Sequence, residues 1–246
     1  MTSVRLVSLA TYVLLIIVWV IYFFVINHPL ILPSPWMVLE KTFDILTNVQ
    51  HLVIIISSIS RLLVIIVCTM ALALSFAWIA SRSKHFAACI KPIIAILRSV
   101  PTIAILVIIM ILYGMHLTPW IITTLIIFPM AYQSFYFGFT HMDKDLIDMY
   151  HLNEQSLYMG LKLVYFPMIK PWLTLTLIQS FGMGFKVLLM AEYLSQTPHS
   201  IGNELFKAKS FLNYDVVFAW TLIALLIVSW VEYVLLKYEK RKLNDI

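Results

Sequence analysis

Charge is scarce in this chain of 246 residues: 12% of the residues are charged, whereas 62% are hydrophobic. A soluble globular domain has about 25% charged residues, which cover its water-facing surface. Glycine (6 residues) and proline (10) are also too few for a collagen-like, linker-like or disordered chain. The apolar residues stand in long blocks without the period-two alternation of an outer-membrane barrel. The composition therefore predicts an all-α membrane protein.

Motifs of catalysis and metal binding are missing as well. The two cysteines, Cys68 and Cys89, provide neither a disulfide framework nor a metal site. The seven histidines are scattered, and the sequence contains no HExxH, GxSxG or CxxC motif. The phosphate-binding pattern GxxxxGK[ST] is absent too. We therefore predict that the chain is not an enzyme, holds no metal or cofactor, and does not itself hydrolyse nucleotide.

Uncharged apolar runs define six predicted membrane spans, since a helix needs about 20 residues to cross about 30 Å of hydrocarbon. They lie at residues 6–27, 58–81, 92–113, 117–140, 168–191 and 216–236, in a single domain of residues 1–246. The short turn between the third and fourth spans makes them a helical hairpin. The first span could be a signal sequence, but no small-residue cleavage site follows it, which favours an uncleaved anchor.

Lysine and arginine set the expected orientation, because cytoplasmic loops of membrane proteins carry an excess of both. With the N-terminus inside, the outer segments hold only Lys41, Lys207 and Lys209. The cytoplasmic segments then hold eleven of the 17 basic residues: Arg5, Arg82, Lys84, Lys91, Lys144, Lys162, Lys170, Lys237, Lys240, Arg241 and Lys242. Both termini are therefore predicted to be cytoplasmic. This distribution explains the net charge of +5 without a nucleic-acid partner.

The outer segment after the first span contains a predicted surface helix at residues 35–48. Ser34 followed by Pro35 is typical of a helix start, because serine caps the first turn and proline is tolerated there. Apolar residues then recur on one helical face at Trp36, Leu39, Phe43 and Leu46. This pattern predicts a helix that lies along the membrane surface.

The inner segment of residues 141–166 is too polar to span the membrane and too long for a turn. Met149, Leu152, Ser156 and Met159 keep helical spacing across Asn153, which predicts two short helices hinged at that residue. The segment has too much apolar surface for a disordered loop. We therefore interpret it as a docking surface for another protein.

Besides Lys170 and Glu232 near the ends of the last two spans, four charged residues lie inside or at the ends of predicted spans, where a charge costs about 2.5–3.5 kcal/mol on insertion scales. They are Arg61, Arg98, Lys186 and Glu192. Arg61 shares a helical face with Ser57 and Ser58, whereas Glu192 lies on a different face from Lys186. All four are candidates for lining a solute path. The alternatives are snorkelling to the lipid surface for Arg98 and Lys186, and a position near the outer interface for Arg61 and Glu192.

The inner segment resembles the cytoplasmic EAA loop of ATP-binding-cassette (ABC) importer permeases. In that family the loop carries Glu-Ala-Ala, a glycine six residues after the Glu, and a hydrophobic-Pro pair near its end. Two registers compete. Glu154 and Gly160 reproduce the first spacing, but Pro167 then comes too early. The second register, which we adopt, places the family's positions on Asp148, Met149, Tyr150, Ser156, Tyr158 and Phe166-Pro167.

In the second register Glu154 stands where the family has glycine. Asn153 tolerates the left-handed conformation and is expected to supply the turn instead. The resemblance implies that this loop docks into a cleft of a separate ATPase. The residues that it assigns to this coupling are Asp148, Met149, Tyr150, Asn153, Glu154, Ser156, Tyr158 and Gly160.

The resemblance extends over nearly the whole chain and is nearest to the nitrate, sulfonate and taurine permeases. That group has segments of the types Leu-Pro-x-Pro, Ser-Leu-x-Arg, Leu-Arg-x-Ile-Pro-x-x-Ala and Ala-Glu followed by a glycine-containing stretch. The similar segments here are LPSPWMV, SSISRLL, LRSVPTIA, and FKVLLMAEYL with IGNELFKA. Each match is weak alone, whereas their shared order and spacing are specific.

The resemblance implies a type I importer permease in the plasma membrane of a bacterium, which forms a homodimer around a path for a small solute. A cytoplasmic ABC ATPase would use the ATP, and an extracytoplasmic solute-binding protein would deliver the solute. The basic residues in the spans favour an anion such as a sulfonate, taurine or nitrate. The family has arginine at these positions whatever its cargo, so the substrate stays open. The alternatives are an energy-coupling-factor-type scaffold, an ATP-independent secondary transporter and a purely structural membrane subunit.

Overall fold

The computed structural model of the protein describes residues 2–28, 31–142 and 165–243. Over these ranges the chain forms eight helices and no strand, in agreement with the predicted all-α class. The helices are α1 (Thr2–Ile26), α2 (Pro35–Thr47), α3 (Val49–Arg82), α4 (Lys84–Ser99), α5 (Thr102–Thr140), α6 (Phe166–Leu194), α7 (Ile201–Ser210) and α8 (Tyr214–Leu243). The coupling residues predicted between Asp148 and Gly160 lie outside the described residues.

Among the described helices, four are long and apolar enough to cross a membrane. They are α3, α5, α6 and the Tyr214–Lys237 part of α8. The sequence predicts six spans, and the count in the structure is lower for two reasons. The third and fourth predicted spans share α5, and α1 offers a shorter apolar stretch at Ala10–Ile26.

Helix α5 consists of two helical segments joined at Gly114, where φ is +76° and ψ is 174°. This left-handed φ favours glycine, which has no Cβ to clash with the backbone. Arg98 and Gln133 are 35 residues apart in sequence, yet their side chains are joined by a hydrogen bond of 2.7 Å. Thr102 and Ile126 line one groove. The chain therefore doubles back at Gly114 and forms a helical hairpin, the arrangement that the sequence predicts for residues 92–140.

The first arm of this hairpin differs from the predicted span at residues 92–113. The structure has a break in that range, because α4 ends at Ser99 and α5 begins at Thr102. Val100 has φ −75° and ψ 132°, an extended conformation that a following proline favours. Pro101 therefore ends α4. Pro92, where the span was predicted to start, lies inside α4, which begins at Lys84 with Ser83 as its N-cap.

The core lies where α3, the second segment of α5, α6 and α8 pack together, and it contains the fully buried Leu62, Ile127, Phe185 and Trp220. The helices approach closely at Gly184 of α6, where an added Cβ would lie 2.7 Å from Ile127 Cδ1 and 3.2 Å from Leu62 Cδ1. The lack of a side chain at this position thus allows α6 to pack against both α3 and α5.

Helix α2 begins as the sequence predicts, with Ser34 Oγ accepting a hydrogen bond of 3.3 Å from Met37 N. Its buried residues are Val38, Thr42 and Ile45, and the helix packs against α8 and α3. The predicted apolar stripe of Trp36, Leu39, Phe43 and Leu46 is exposed. An exposed apolar stripe on a short helix is typical of elements that lie in the membrane interface.

Candidate functional site

The four intramembrane charges predicted to line a path fall into two groups in the structure. Arg61 and Glu192 meet between helices, where Glu192 is fully buried and the Arg61 side chain is 13% exposed. Arg98 and Lys186 are exposed on the surface of the described chain. The two groups therefore differ in what they can contact.

The carboxylate of Glu192 is held by donors from three residues on two helices, α3 and α7. Arg61 Nη1 forms an ion pair with Oε1. Ser58 Oγ lies 3.1 and 3.0 Å from the two carboxylate oxygens and donates to them. The backbone N–H of Gly202 donates to Oε2 at 3.3 Å. A buried carboxylate is tolerated where it is both paired and hydrogen-bonded, and Glu192 meets both conditions.

This cluster also caps the start of α7. The first N–H groups of a helix have no partner within the helix. Here Ile201 N donates to Ser58 Oγ at 3.0 Å, Gly202 N to Glu192, and Asn203 N to Ser200 Oγ at 3.1 Å. The positive end of the α7 dipole favours the Glu192 carboxylate as well. The cluster therefore ties α7 to α3 and α6.

Gly202 is required at its position because the chain segments approach so closely there. An added Cβ would overlap the backbone N of Tyr193 and the Cβ of Glu192. Any other residue would push α7 away from α6 and break the hydrogen bond to Glu192. Since Glu192 is 0% exposed, this arrangement gives a solute no access to its carboxylate. We interpret Arg61 and Glu192 as a structural tie between helices.

The second group surrounds two grooves beside the junction of α4 and α5. The smaller has a volume of about 300 Å³ and the larger about 670 Å³, and both are lined by Arg98 and Gln133. Arg98 Nη1 donates to Gln133 Oε1 at 2.7 Å. Lys91 and Ser99 add polar groups to the larger groove. No acidic side chain is found among the described residues that line either groove.

Aromatic rings line the larger groove on the α5 side. Tyr132 and Tyr136, which line the larger groove, stack with ring centroids 5.8 Å apart and an interplanar angle of 12°. Tyr132 also stacks on Phe128. Since these residues are four apart on one helix, they form a continuous aromatic face. Gln133, which follows Tyr132 in the chain, lines the same groove.

Lys186 lies on the exposed face of α6 that continues from the smaller groove. Met183, one turn earlier on α6, lines that groove, and Gln179 is exposed one further turn back. The described part of α6 therefore presents a lysine and a glutamine on the same side as the Arg98–Gln133 pair. These polar side chains share the exposed face of otherwise apolar helices.

Sequence reasoning missed three residues of these clusters. Gln133 is the single amide in a strongly apolar stretch, IIFPMAYQSFYF, and that isolation is a usable signal. Ser58 was noted only as a neighbour of Arg61, three residues away. For Gly202 the sequence predicts only a turn together with Pro198, whereas the structure places it in the first turn of α7. Their partners are distant in sequence, so spacing alone reveals none of these contacts.

Residues 69–242 match the family model of the binding-protein-dependent transport system inner membrane component. The chain belongs to this family. No curated protein matches it. The chain is thus a multi-pass membrane protein and an ABC importer permease component. The family implies partnership of this permease with an ABC ATPase and a solute-binding protein.

Proposed function

We propose that the chain is the membrane permease subunit of a bacterial ABC importer of the nitrate, sulfonate and taurine type. In this proposal two identical copies form a path across the plasma membrane for a small anionic solute. The observation that supports it is the exposed polar face formed by Arg98, Gln133, Gln179 and Lys186. Polar and charged groups on membrane helices face protein or water, because lipid solvates them poorly. A second copy would enclose this face.

The proposal includes six membrane crossings with both termini in the cytoplasm. The crossings would be α1, α3, the two arms of the hairpin at Gly114, α6 and α8. The excess of lysine and arginine in the segments assigned to the cytoplasm supports this orientation. In this topology α7 and the Glu192 cluster are on the outer side, and the segment between α5 and α6 is on the inner side.

We place the contact with the ATPase in that inner segment, around Asp148 and Ser156. ATP-driven closure of the ATPase pair can move the permease only through an element seated in it. Residues 141–166 link α5 to α6; α5 carries Gln133, the partner of Arg98, and α6 carries Lys186. A movement of this segment would therefore shift α5 and α6, which form part of the proposed solute path.

The test is uptake by proteoliposomes that contain the permease with the ATPase and binding protein encoded beside its gene. We expect accumulation of radiolabelled taurine or nitrate that requires both ATP and the binding protein. The double variant Asp148→Lys with Ser156→Trp should insert normally but lose this uptake. Asp145→Lys is the matched control, since it reverses a charge in the same segment outside the coupling residues.

The outcomes separate the alternatives. Unchanged uptake by the double variant would contradict the coupling assignment. Uptake that follows an ion gradient without nucleotide would indicate a secondary transporter. Full transport after replacement of both Arg98 and Lys186 by leucine would indicate that these charges are not part of the path.

A further inference from the structure

We propose that Arg98 and Gln133 form an anion-selecting site in the solute path, which admits small oxyanions and excludes cations. This inference rests on the proposed function, since it takes the two grooves to be part of that path. It assigns the selection to a particular pair of side chains, and it names Gln133 as a residue that determines specificity.

The orientation of the Gln133 amide follows from the chemistry of its partner. A guanidinium group has only N–H donors, so the atom that meets Arg98 Nη1 at 2.7 Å must be the carbonyl oxygen Oε1. The acceptor of Gln133 is thereby engaged. Its Nε2 group adds two N–H donors to those of Arg98, and both residues line both grooves. The pair therefore offers donors to a solute.

The surroundings strengthen this preference. Lys91 lies two turns before Arg98 on α4, and both line the larger groove. Two positive charges thus face one groove, and no described lining residue supplies a negative charge. The remaining polar side chains of this groove are Ser99, Tyr132 and Tyr136. The tyrosine hydroxyls can donate to a solute, whereas Ser99 Oγ donates to Ala95 O at 2.8 Å. An oxyanion such as a sulfonate or nitrate can accept several of these hydrogen bonds at once, whereas a cation would be repelled.

The short hydrogen bond between Arg98 Nη1 and Gln133 Oε1, 2.7 Å long, gives Gln133 a second role, which is to position the Arg98 guanidinium. Arginine side chains have many rotamers, and a hydrogen bond to a fixed partner holds the guanidinium in place. Gln133 supplies this acceptor from α5, a helix that packs against α3 and α6. Replacing Gln133 by glutamate would keep the shape of the side chain but add a negative charge. This charge would offset that of Arg98 and make the site repel anions.

The test measures charge selection without knowledge of the natural solute. Cys68 and Cys89 of the full-length permease are replaced by serine, and one cysteine is introduced as Ala95→Cys, which lines the larger groove. The probes are two thiol-reactive methanethiosulfonates of similar size, one bearing a sulfonate and the other a trimethylammonium group. The ratio of their modification rates is normalised to the ratio at Ser210→Cys, an exposed position on α7.

We expect the sulfonate reagent to be favoured at position 95 by about fivefold, which corresponds to about 1 kcal/mol of electrostatic attraction. Gln133→Glu and Arg98→Gln should each abolish this preference. Gln50→Glu is the matched control, because it makes the same change at an exposed residue of α3. Because both Gln133→Glu and Arg98→Gln are measured, the test still gives an answer if one of these variants fails to fold.

Four results would overturn the inference. The first is equal reaction with both reagents in the unaltered groove, which would leave the proposed permease function standing. The second is a preference that persists in both Gln133→Glu and Arg98→Gln. The third is a preference seen in phosphatidylcholine vesicles and lost when phosphatidylglycerol is added, which would indicate a site for anionic lipid headgroups. If neither reagent modified the cysteine at position 95, the groove would not be part of the solute path, and the proposed function would be contradicted as well.

Discussion

The buried tie at Glu192 leads to a quantitative prediction for Arg61→Met. This change removes the counter-charge and one charge-assisted hydrogen bond, while Ser58 and Gly202 still donate to the carboxylate. Because Glu192 is 0% exposed, water cannot replace the lost guanidinium. Removing one partner of a buried ion pair costs about 3–5 kcal/mol. We expect a loss in this range in the free energy of unfolding.

The assay is a double-mutant cycle in mixed detergent micelles, with unfolding by SDS followed by circular dichroism or tryptophan fluorescence. Glu192→Gln removes the charge and keeps the side-chain shape, so the double variant has no unpaired carboxylate. It should lose less stability than the two single variants added together. Lys41→Met is the control, because it breaks an exposed ion pair with Asp44 at 3.2 Å, and such pairs contribute about 0–1 kcal/mol.

The reasoning would be refuted if Arg61→Met and Lys41→Met destabilised the protein equally. It would also be refuted by losses that add in the double variant, because additivity means that the two side chains do not interact. Either result would show that Glu192 is stabilised by Ser58 and the α7 N–H groups alone.

Three further substitutions test other positions, each through the midpoint of thermal unfolding in detergent. Gly202→Ala should cost at least about 3 kcal/mol, because its Cβ would overlap the backbone of α6; a stable variant would mean that α7 is not fixed there. Gly114→Ala should cost about 1–3 kcal/mol, since φ of +76° with ψ of 174° is a conformation that almost only glycine adopts, although no atom lies within 4 Å of the added Cβ. A much larger loss would show crowding at the hairpin turn. Ser34→Ala removes the N-cap of α2 and should cost about 1 kcal/mol, and an unchanged midpoint would mean that Pro35 alone starts this helix.

Local signals in the sequence were sufficient for the class of fold and for several helix boundaries. The start of α2 follows from Ser34 and Pro35, which act within one turn. The hairpin follows from two apolar runs and the glycine between them. The break at Val100 was missed because the apolar pattern continues through it, although the effect of Pro101 on the preceding residue is itself local.

The candidate sites could be predicted only in part. A charge in an apolar run is visible without a structure, so Arg61, Arg98, Lys186 and Glu192 could all be singled out. Their grouping depends on which helices are neighbours. The partners Arg61 and Glu192 are 131 residues apart, and no period or spacing relates them. Tertiary packing therefore determines that Arg61 and Glu192 form a buried pair and that Arg98 lines an exposed groove.

The separation of Arg61 from Glu192 has a consequence for biogenesis. A ribosome adds about 5–20 residues per second. Arg61 is therefore synthesised roughly 7–26 seconds before Glu192, which lies 131 residues further along the chain. During this interval Glu192 cannot pair with Arg61, so the guanidinium must be solvated by other polar groups or by water. The permease thus completes its ion pair only when its C-terminal third arrives.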